Sequence, residues 1–524
     1  MSRDSKPKYN TLVISDLHLG EDLSATANEA DRLHIEIVER QLISFLRYYA
    51  RRREDGRAWR LIINGDMVDF LTVGVFPEHP EFSEHKATLG EHEFGLGRSP
   101  AVAVVKMKMV IKRHIGVFRA LARFLSRGNR VEILSGNHDT EFCWSGTQDA
   151  LTCGVGEAWE TMPESRRPGA QKASEVISGI NFHQWFFYEP GVLWVEHGHQ
   201  YDECCSLRHQ LYPRCPDTDE IVTNVDSAGV RYVTSYIAEA EAQNMDRWSF
   251  MGYVRFGFGL GAKGCLRLTY GYYSFSRELM RVWRAESKRG VSGRDIRKKH
   301  VQRLDSLAQK WDMPRETLDK LDDLSRLPVV NQFSKLSSVL MLDKLFFYAM
   351  GGVVALLSVI FLSGALTLAG VVLGAFMAVG LSIWSSRGRE VDASATMELN
   401  SERILKIVDA KFVTFGHTHE PVARQLDKGT WYFNTGTWVP TGKPGLLRVF
   451  THLVVRHRED GPEAQLCQWR DGASRAFTPG WRARPLEDEV VVRKPATDGV
   501  PEPVPVGAMA KSKSPESSEI DSAA

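Results

Sequence analysis

RLIINGDMVDF, residues 60–70, decides the fold. Leu61, Ile62 and Ile63 form a short apolar run closed by a glycine turn, the pattern of a strand buried on both faces. Asp66 and Asp69 follow at once, so an acidic pair sits just past the strand's end. The same grammar recurs from Asn10 to Glu203 in TLVIS (11–15), VEILS (131–135) and VLWVE (192–196). Between these runs, 35–49 and 102–125 carry apolar residues at three- and four-residue spacing, as helices do. Strands alternating with helices indicate an α/β layered core. The pattern resumes with a helical stretch at 404–408, then KFVTF (411–415), WYFNTGTWVP (431–440) and LLRVFTHLVVRHRE (446–459).

Five short motifs each follow an expected strand: D-L-H at Asp16 and His18, G-D-M-V-D at Gly65 to Asp69, G-N-H-D at Gly136 to Asp139, E-H-G-H at Glu196 to His199, and G-H-T-H at Gly416 to His419. In extended backbone residues i and i+2 face the same way, so Asp16 with His18, and His417 with His419, are each expected to converge on one locus. All five motifs are expected at the C-terminal edge of one sheet, where α/β folds gather ligand groups. Carboxylate, imidazole and amide together suit a pair of borderline divalent ions, Mn²⁺ first, with Fe²⁺, Zn²⁺ or Mg²⁺ as alternatives. A single D-x-H or H-x-H is weak evidence; the five in order are what carry the metal reading.

In these motifs residues 10–203 and 400–440 resemble the calcineurin-like metallophosphoesterase superfamily, whose pattern is D-x-H, G-D-x-x-D, G-N-H-D/E, H, G-H-x-H. The resemblance implies a four-layer αββα sandwich holding two metals bridged by an aspartate and a hydroxide. Carried over, Asp16, His18, Asp66 and His419 bind one metal, and Asp66, Asn137, His197 and His417 the other. It also implies phosphoester hydrolysis, with His138 giving a proton to the leaving oxygen and Asp69 orienting His138. His197 is preferred to His199 as the lone family histidine because the strand ends just before it; His199 and Asp139 are left as residues that support the ligands or contact substrate. The loop 77–98 offers His79, His85 and His92 as candidates for a substrate entrance, against a plain solvated loop.

Between the two halves lies an insertion of roughly 190 residues, far longer than an ordinary connection. Its stretch 229–323 reads as mostly helical, and residues 251–310 hold 14 Lys or Arg against 4 Asp or Glu. Tyr253, Phe256, Phe258, Tyr270, Tyr272, Tyr273, Phe275 and Trp283 are interleaved, a mixture suited to an anionic membrane surface. Residues 345–384 then run 40 positions without a charge. At 1.5 Å per residue a single helix would extend about 60 Å, twice the ~30 Å hydrocarbon core, so two crossings with a turn near Ser363 and Gly364 are expected. Basic Lys344, Arg387 and Arg389 flank the run, which favours both ends on the cytoplasmic side, and its glycines allow close helix packing. Because metal motifs lie on both sides of this run, an odd number of crossings would separate them. The catalytic halves therefore share one face of the membrane.

The expected organisation is a catalytic domain's first half (1–203), a helical basic and aromatic insertion (204–343), a transmembrane hairpin (344–387), the second half (388–484) and a disordered Pro- and Ser-rich tail (485–524). No apolar segment of signal-peptide length follows the N-terminus, since Asp16 and His18 interrupt it. Seven cysteines in no C-x-x-C spacing suggest neither a disulfide framework nor a zinc ribbon. With 66 Lys plus Arg against 65 Asp plus Glu, the chain as a whole has no drive toward nucleic acid. The nearest functional analogy within the superfamily is the group of UDP-2,3-diacylglucosamine pyrophosphatases, which also carry a helical insertion between the fourth and fifth motifs. This chain departs from them at His138, where they have Arg, at Asp69, where they have Glu, and in its long apolar run. The sequence thus predicts a membrane-anchored, two-metal hydrolase of a phosphomonoester, phosphodiester or pyrophosphate, acting on a phosphorylated, lipid-linked substrate. The rivals are a tethered enzyme for a soluble nucleotide and a non-catalytic membrane adaptor.

Overall fold

A computed structural model describes residues 9–167, 171–215, 218–237, 259–288, 291–386, 393–439 and 449–479. Its strands along the chain are β1 (Tyr9–Ile14), β2 (Ala58–Asn64), β3 (Arg130–Leu134), β4 (Ile180–His183), β5 (Phe186–Glu189), β6 (Leu193–Glu196), β7 (Phe412–Phe415), β8 (Pro421–Asp427), β9 (Thr430–Thr435), β10 (Thr451–Arg458), β11 (Gly461–Arg470) and β12 (Ala473–Ala476). They assort into a seven-stranded sheet, β12-β11-β10-β1-β2-β3-β4, and a five-stranded sheet, β5-β6-β7-β9-β8. β1 to β4 are mutually parallel, as are β6, β7 and β9; the remaining pairings are antiparallel.

Strands apolar on both sides need cover on both sides. Leu12, Ile14, Leu61, Ile63, Val131 and Ile133 face helices Glu29–Ala50, Pro100–Arg113, Ile115–Ser126 and Ser145–Glu160. The alternate residues Val13, Ile62 and Leu134 face the other way, onto Leu193, Val195, Phe412 and Phe433 of the second sheet. The outer face of that sheet, with Trp194, Val413, Phe415 and Tyr432, packs on helices Val291–Trp311, Arg315–Asp322 and Ala393–Ile407. The order of layers is helix, sheet, sheet, helix. The stretch 102–125 is two helices, not one. The break falls at His114 (φ −108°, ψ 33°), where the turn points a buried imidazole at Asp22 and Glu39, 3.5 and 3.3 Å away.

His452 on β10 gives the core a pH dependence. Its ring is buried beside Phe45 (5.0 Å between centroids), with Nε2 2.8 Å from Ser474 Oγ. Burial is the main cause that pushes its pKa from 6.5 down to about 3. The unfolded chain therefore takes up this proton near pH 6.5, whereas the folded chain resists until about pH 3. The His452 contribution is intact above pH 6.5 and declines as the pH falls through that window. Thermal midpoints should drop between pH 6.5 and 4, and drop less in His452→Gln; equal slopes for the two proteins would contradict this.

The insertion has its own small core, in which Phe275, Leu279 and Val282 meet Ala228, Val230, Val329, Val330, Leu336 and Leu340. Of the interleaved aromatics, Phe275 is buried there, with Tyr272 and Trp283 packed against it, while Tyr270 and Tyr273 are exposed. Tyr253, Phe256 and Phe258 lie outside the described residues. Helices Leu342–Phe361 and Ala365–Ser386 form a hairpin, with Gly364 (φ 59°) in the turn where the sequence expects one. Both are long and apolar enough to cross a membrane, and only 18% and 17% of their apolar windows are buried. A soluble core helix would be mostly covered, yet Phe346, Phe361, Leu366, Leu368 and Phe376 are 63 to 75% exposed. The helices touch through glycines: a Cβ on Gly351 or Gly374 would run into the other's carbonyl oxygen. The flanking Arg387 and Arg389, and the expected tail 485–524, lie outside the described residues.

Candidate metal centre

Each motif leaves the carboxyl end of a strand, but the strands belong to two sheets and not the expected one. Asp16 and His18 follow β1, Asp66 and Asp69 follow β2, and Asn137 to Asp139 follow β3; His197 follows β6, and His417 and His419 follow β7. Stacked sheets bring these ends together as well as one sheet would. Side chains stitch them there: Ser15 Oγ donates to Gly436 O (3.0 Å) and lies 2.7 Å from Thr435 Oγ1, and Asn64 Nδ2 donates to Glu196 O (3.0 Å). Glu196 is buried and held by Trp185, Gln200 and Tyr201, which fixes the strand end before His197.

Extended backbone does not continue into the motifs. Asp16, His18, Asp66, His417 and His419 have φ of 55°, 46°, 52°, 65° and 58°, a region that side chains of this kind occupy at a general cost of about 1–3 kcal/mol each. As a result His417 and His419 do not share a locus. His419 Nε2 lies 3.2 Å from Asp16 Oδ1, whereas His417 Nδ1 lies 3.1 Å from Asn137 Oδ1. Backbone amides hold the turns: Leu17 N and His18 N donate to Asp66 O (2.9 and 3.0 Å), and His138 N donates to Asp66 Oδ1 (2.9 Å). Asp139 accepts from Met67 N and Gly136 N (2.7 and 2.6 Å), so it braces two of the loops and does not face the centre. Gly136 is needed here because a Cβ would collide with Asp66 Oδ1.

Five of the seven expected ligands form two groups that overlap at Asp16: Asp16, His18 and His419 in one, and Asp16, Asp66 and His197 in the other. Asn137 Oδ1 lies 3.2 Å from His197 Nε2 and 3.1 Å from His417 Nδ1, and His417 itself groups with Asp202 and Cys205. Asp66 lies between the two groups, its Oδ2 3.2 Å from His197 Nε2 and 3.9 Å from His18 Nε2. His199 is not in these groups. It lies in the turn His199–Tyr201, its ring centroid 5.5 Å from that of His197, and burial drives its pKa well below the ordinary value.

The hydrogen-bond pattern fits a cation at each group. His197 Nδ1 donates to Asn64 O (2.8 Å), so its Nε2 points at two oxygens, Asp66 Oδ2 and Asn137 Oδ1, both at 3.2 Å, an arrangement that needs a proton or a cation at that nitrogen. Asn137 cannot be turned round, because its Nδ2 donates to Asp226 Oδ2 (3.1 Å). His417 repeats the arrangement: Nε2 is held by Asp202 Oδ2 (3.2 Å), leaving Nδ1 toward Asn137 Oδ1. On the other side His18 Nδ1 is held by Asp69 Oδ2 (3.2 Å), His18 Nε2 is buried without a hydrogen-bond partner among the described residues, and the buried Asp16 Oδ1 faces His419 Nε2 at 3.2 Å. Converging acceptors of this kind repel one another unless a cation or a proton lies between them. Burial by itself lowers the His197 pKa, yet the charge and hydrogen bond of Asp66, the Asp16 charge and the Asn64 carbonyl together outweigh it and raise it to about 9. Burial likewise works against the Asp66 carboxylate, but His197 and His138 hold it well below the usual range. The buried His and Asp groups could hold metal ions, and the outer partners that anchor His18, His197 and His417 are what metal sites commonly have.

His138 stands beside these groups with Nδ1 2.9 Å from Asp69 Oδ1 and with Nε2 turned away from that pair. Asp69 therefore serves two histidines, one oxygen each. Asp202, three residues past the E-H-G-H motif, and Asp226, in the insertion, were not among the expected site residues because neither is part of a motif. His79, His85 and His92 stay at the surface: His79 caps the turn Pro80–Phe82, His85 pairs with Glu91 (3.0 Å) and His92 with Glu78 (2.8 Å). These contacts are local to the loop and fit the solvated reading. No protein-family model matches the chain, and no curated protein matches it.

Proposed function

We propose that this chain is a membrane-anchored, two-metal phosphoesterase of the calcineurin-like metallophosphoesterase type, acting on a lipid-linked phosphoester. The observation that carries the reading is the pair of ligand groups that overlap at Asp16, with Asp66 lying between His197 and His18 and a histidine–aspartate couple beside them. The four layers and the strand-end position of every motif support it. Two bound divalent ions, Mn²⁺ first among the candidates, would supply charge to hold phosphate oxygens and to make water nucleophilic near neutral pH. Asp16, His18, Asp66 and His419 would hold one, and Asp66, Asn137, His197 and His417 the other. Asp69 fixes His138 Nδ1, so a proton carried on Nε2 is available to the leaving oxygen. His138→Ala should lower kcat by about 10²–10⁴ with bound metal unchanged; parallel loss of metal would make His138 part of the scaffold instead.

The exposed apolar hairpin supports insertion in a bilayer with both ends on one side, because Asp16 to His197 before it and His417 and His419 after it meet in one centre. The basic flanks favour the cytoplasmic side. Exposed Leu266, Tyr270 and Tyr273 on the basic helix Gly261–Lys288 suit the lipid headgroup zone, and hence a substrate that is itself membrane-bound. A phosphate-release screen of lipid-linked and nucleotide phosphoesters in detergent with Mn²⁺ tests this, with Asp66→Ala as the blank. Turnover of nucleotide esters alone would favour a tethered enzyme for a soluble substrate; no turnover of any phosphoester would remove the catalytic reading.

A further inference from the structure

Asp226 belongs to the insertion, yet it reaches the metal centre. It lies on the short helix Val225–Gly229, which is fixed on both sides: Asn224 Nδ2 donates to Cys205 O (2.6 Å), Asp226 N donates to Cys204 O (3.3 Å), and Ala228 packs into the insertion core. Its carboxylate touches two members of the centre. Oδ2 accepts from Asn137 Nδ2 (3.1 Å) and lies 3.9 Å from His138 Nε2, too far for a hydrogen bond but directly beside the atom that faces a leaving group. The side chain is 23% exposed, and among the described residues it pairs with no lysine or arginine. A carboxylate has about four acceptor positions, and the Asn137 amide uses one.

Resting on the phosphoesterase reading, we infer that Asp226 sets the substrate class: the leaving group carries hydrogen-bond donors, as hydroxyl or ammonium, next to the scissile oxygen, and is not itself a phosphate. A donor there meets a partly solvated acceptor held in place before it arrives. A second phosphate there, as in a pyrophosphate substrate, meets the negative Asp226 carboxylate, which the His138 ring 3.9 Å away offsets without a hydrogen bond. A site of this kind discriminates both by attraction and by repulsion. The same carboxylate keeps the Asn137 oxygen turned inward, so removing only its charge is the informative change.

The test uses full-length protein in detergent with Mn²⁺ and three lipids on one acyl-glycerol anchor. Two are phosphodiesters with a glycerol or an ethanolamine headgroup, and the third joins its headgroup through a pyrophosphate; bis-p-nitrophenyl phosphate is the reference. The wild type should release glycerol or ethanolamine faster than it cleaves the pyrophosphate, and the faster of the two identifies hydroxyl or ammonium as the donor. In Asp226→Asn, kcat/KM for that phosphodiester should fall about ten- to a hundredfold, while that for the pyrophosphate rises. Asp226→Glu should return the ratio toward the wild-type value, and bound metal should be the same in all three proteins. A wild-type preference for pyrophosphate, an equal fall on every substrate, or an Asp226→Glu protein that behaves like Asp226→Asn would overturn the inference. Turnover of bis-p-nitrophenyl phosphate without any lipid turnover would overturn it while leaving the phosphoesterase reading standing. No turnover of any of the four would remove both.

Discussion

Asp66→Ala, purified in detergent and supplied with Mn²⁺, is expected to lose phosphoester hydrolysis by more than the ~10²–10³ that removal of one charge-stabilising donor costs an enzyme. Asp66 lies between the two ligand groups, with Oδ2 3.2 Å from His197 Nε2 and 3.9 Å from His18 Nε2. Its Oδ1 also accepts from His138 N, so the substitution frees the loop that carries the expected acid. Asp66→Asn separates these roles. It keeps an oxygen for the amide and removes the charge that offsets two cations, so it should recover folding but little activity. Wild-type turnover in Asp66→Ala would show that this carboxylate is not part of the chemistry.

The second large effect is on location. When residues 342–386 are replaced by a short flexible linker, the protein should move from the membrane fraction to the soluble fraction and retain turnover of bis-p-nitrophenyl phosphate. Its turnover of a substrate embedded in vesicles should fall by an order of magnitude or more, because the exposed apolar surface of two helices, each able to span a ~30 Å core, no longer concentrates the enzyme at the bilayer. A linker variant that still sediments with membranes would place the anchor elsewhere. Reporters placed before Lys344 and after Arg389 should both report the cytoplasmic side; opposite sides would contradict a hairpin.

The sequence made the buried strands legible, since Leu61 to Ile63 and the runs like it are apolar on both faces and end in glycine turns. It did not say which strands pair, because a strand covered on both sides reads alike in either sheet; hence the five motifs were assigned to one edge when they come from two. Residue types identified the ligand set, but not its geometry. Nothing in an Asp or a His announces a left-handed φ, and that conformation is what sends His417 and His419 to different places. His114 was lost inside a helical pattern because its partners, Asp22 and Glu39, are distant in sequence. Asp202 and Asp226 were illegible for a similar reason: a carboxylate among 65 acidic residues acquires meaning only when the fold sets it against His417 or Asn137.

The most direct measurement is the metal content of the full-length protein in detergent, loaded with Mn²⁺, freed of excess ion and measured by mass spectrometry against protein concentration. The arrangement of Asp16, His18, Asp66, Asn137, His197, His417 and His419 predicts two ions per chain in the wild type and at most one in Asp66→Ala. A wild type that retains none, or an Asp66→Ala protein that retains as many as the wild type, would contradict the two-metal centre.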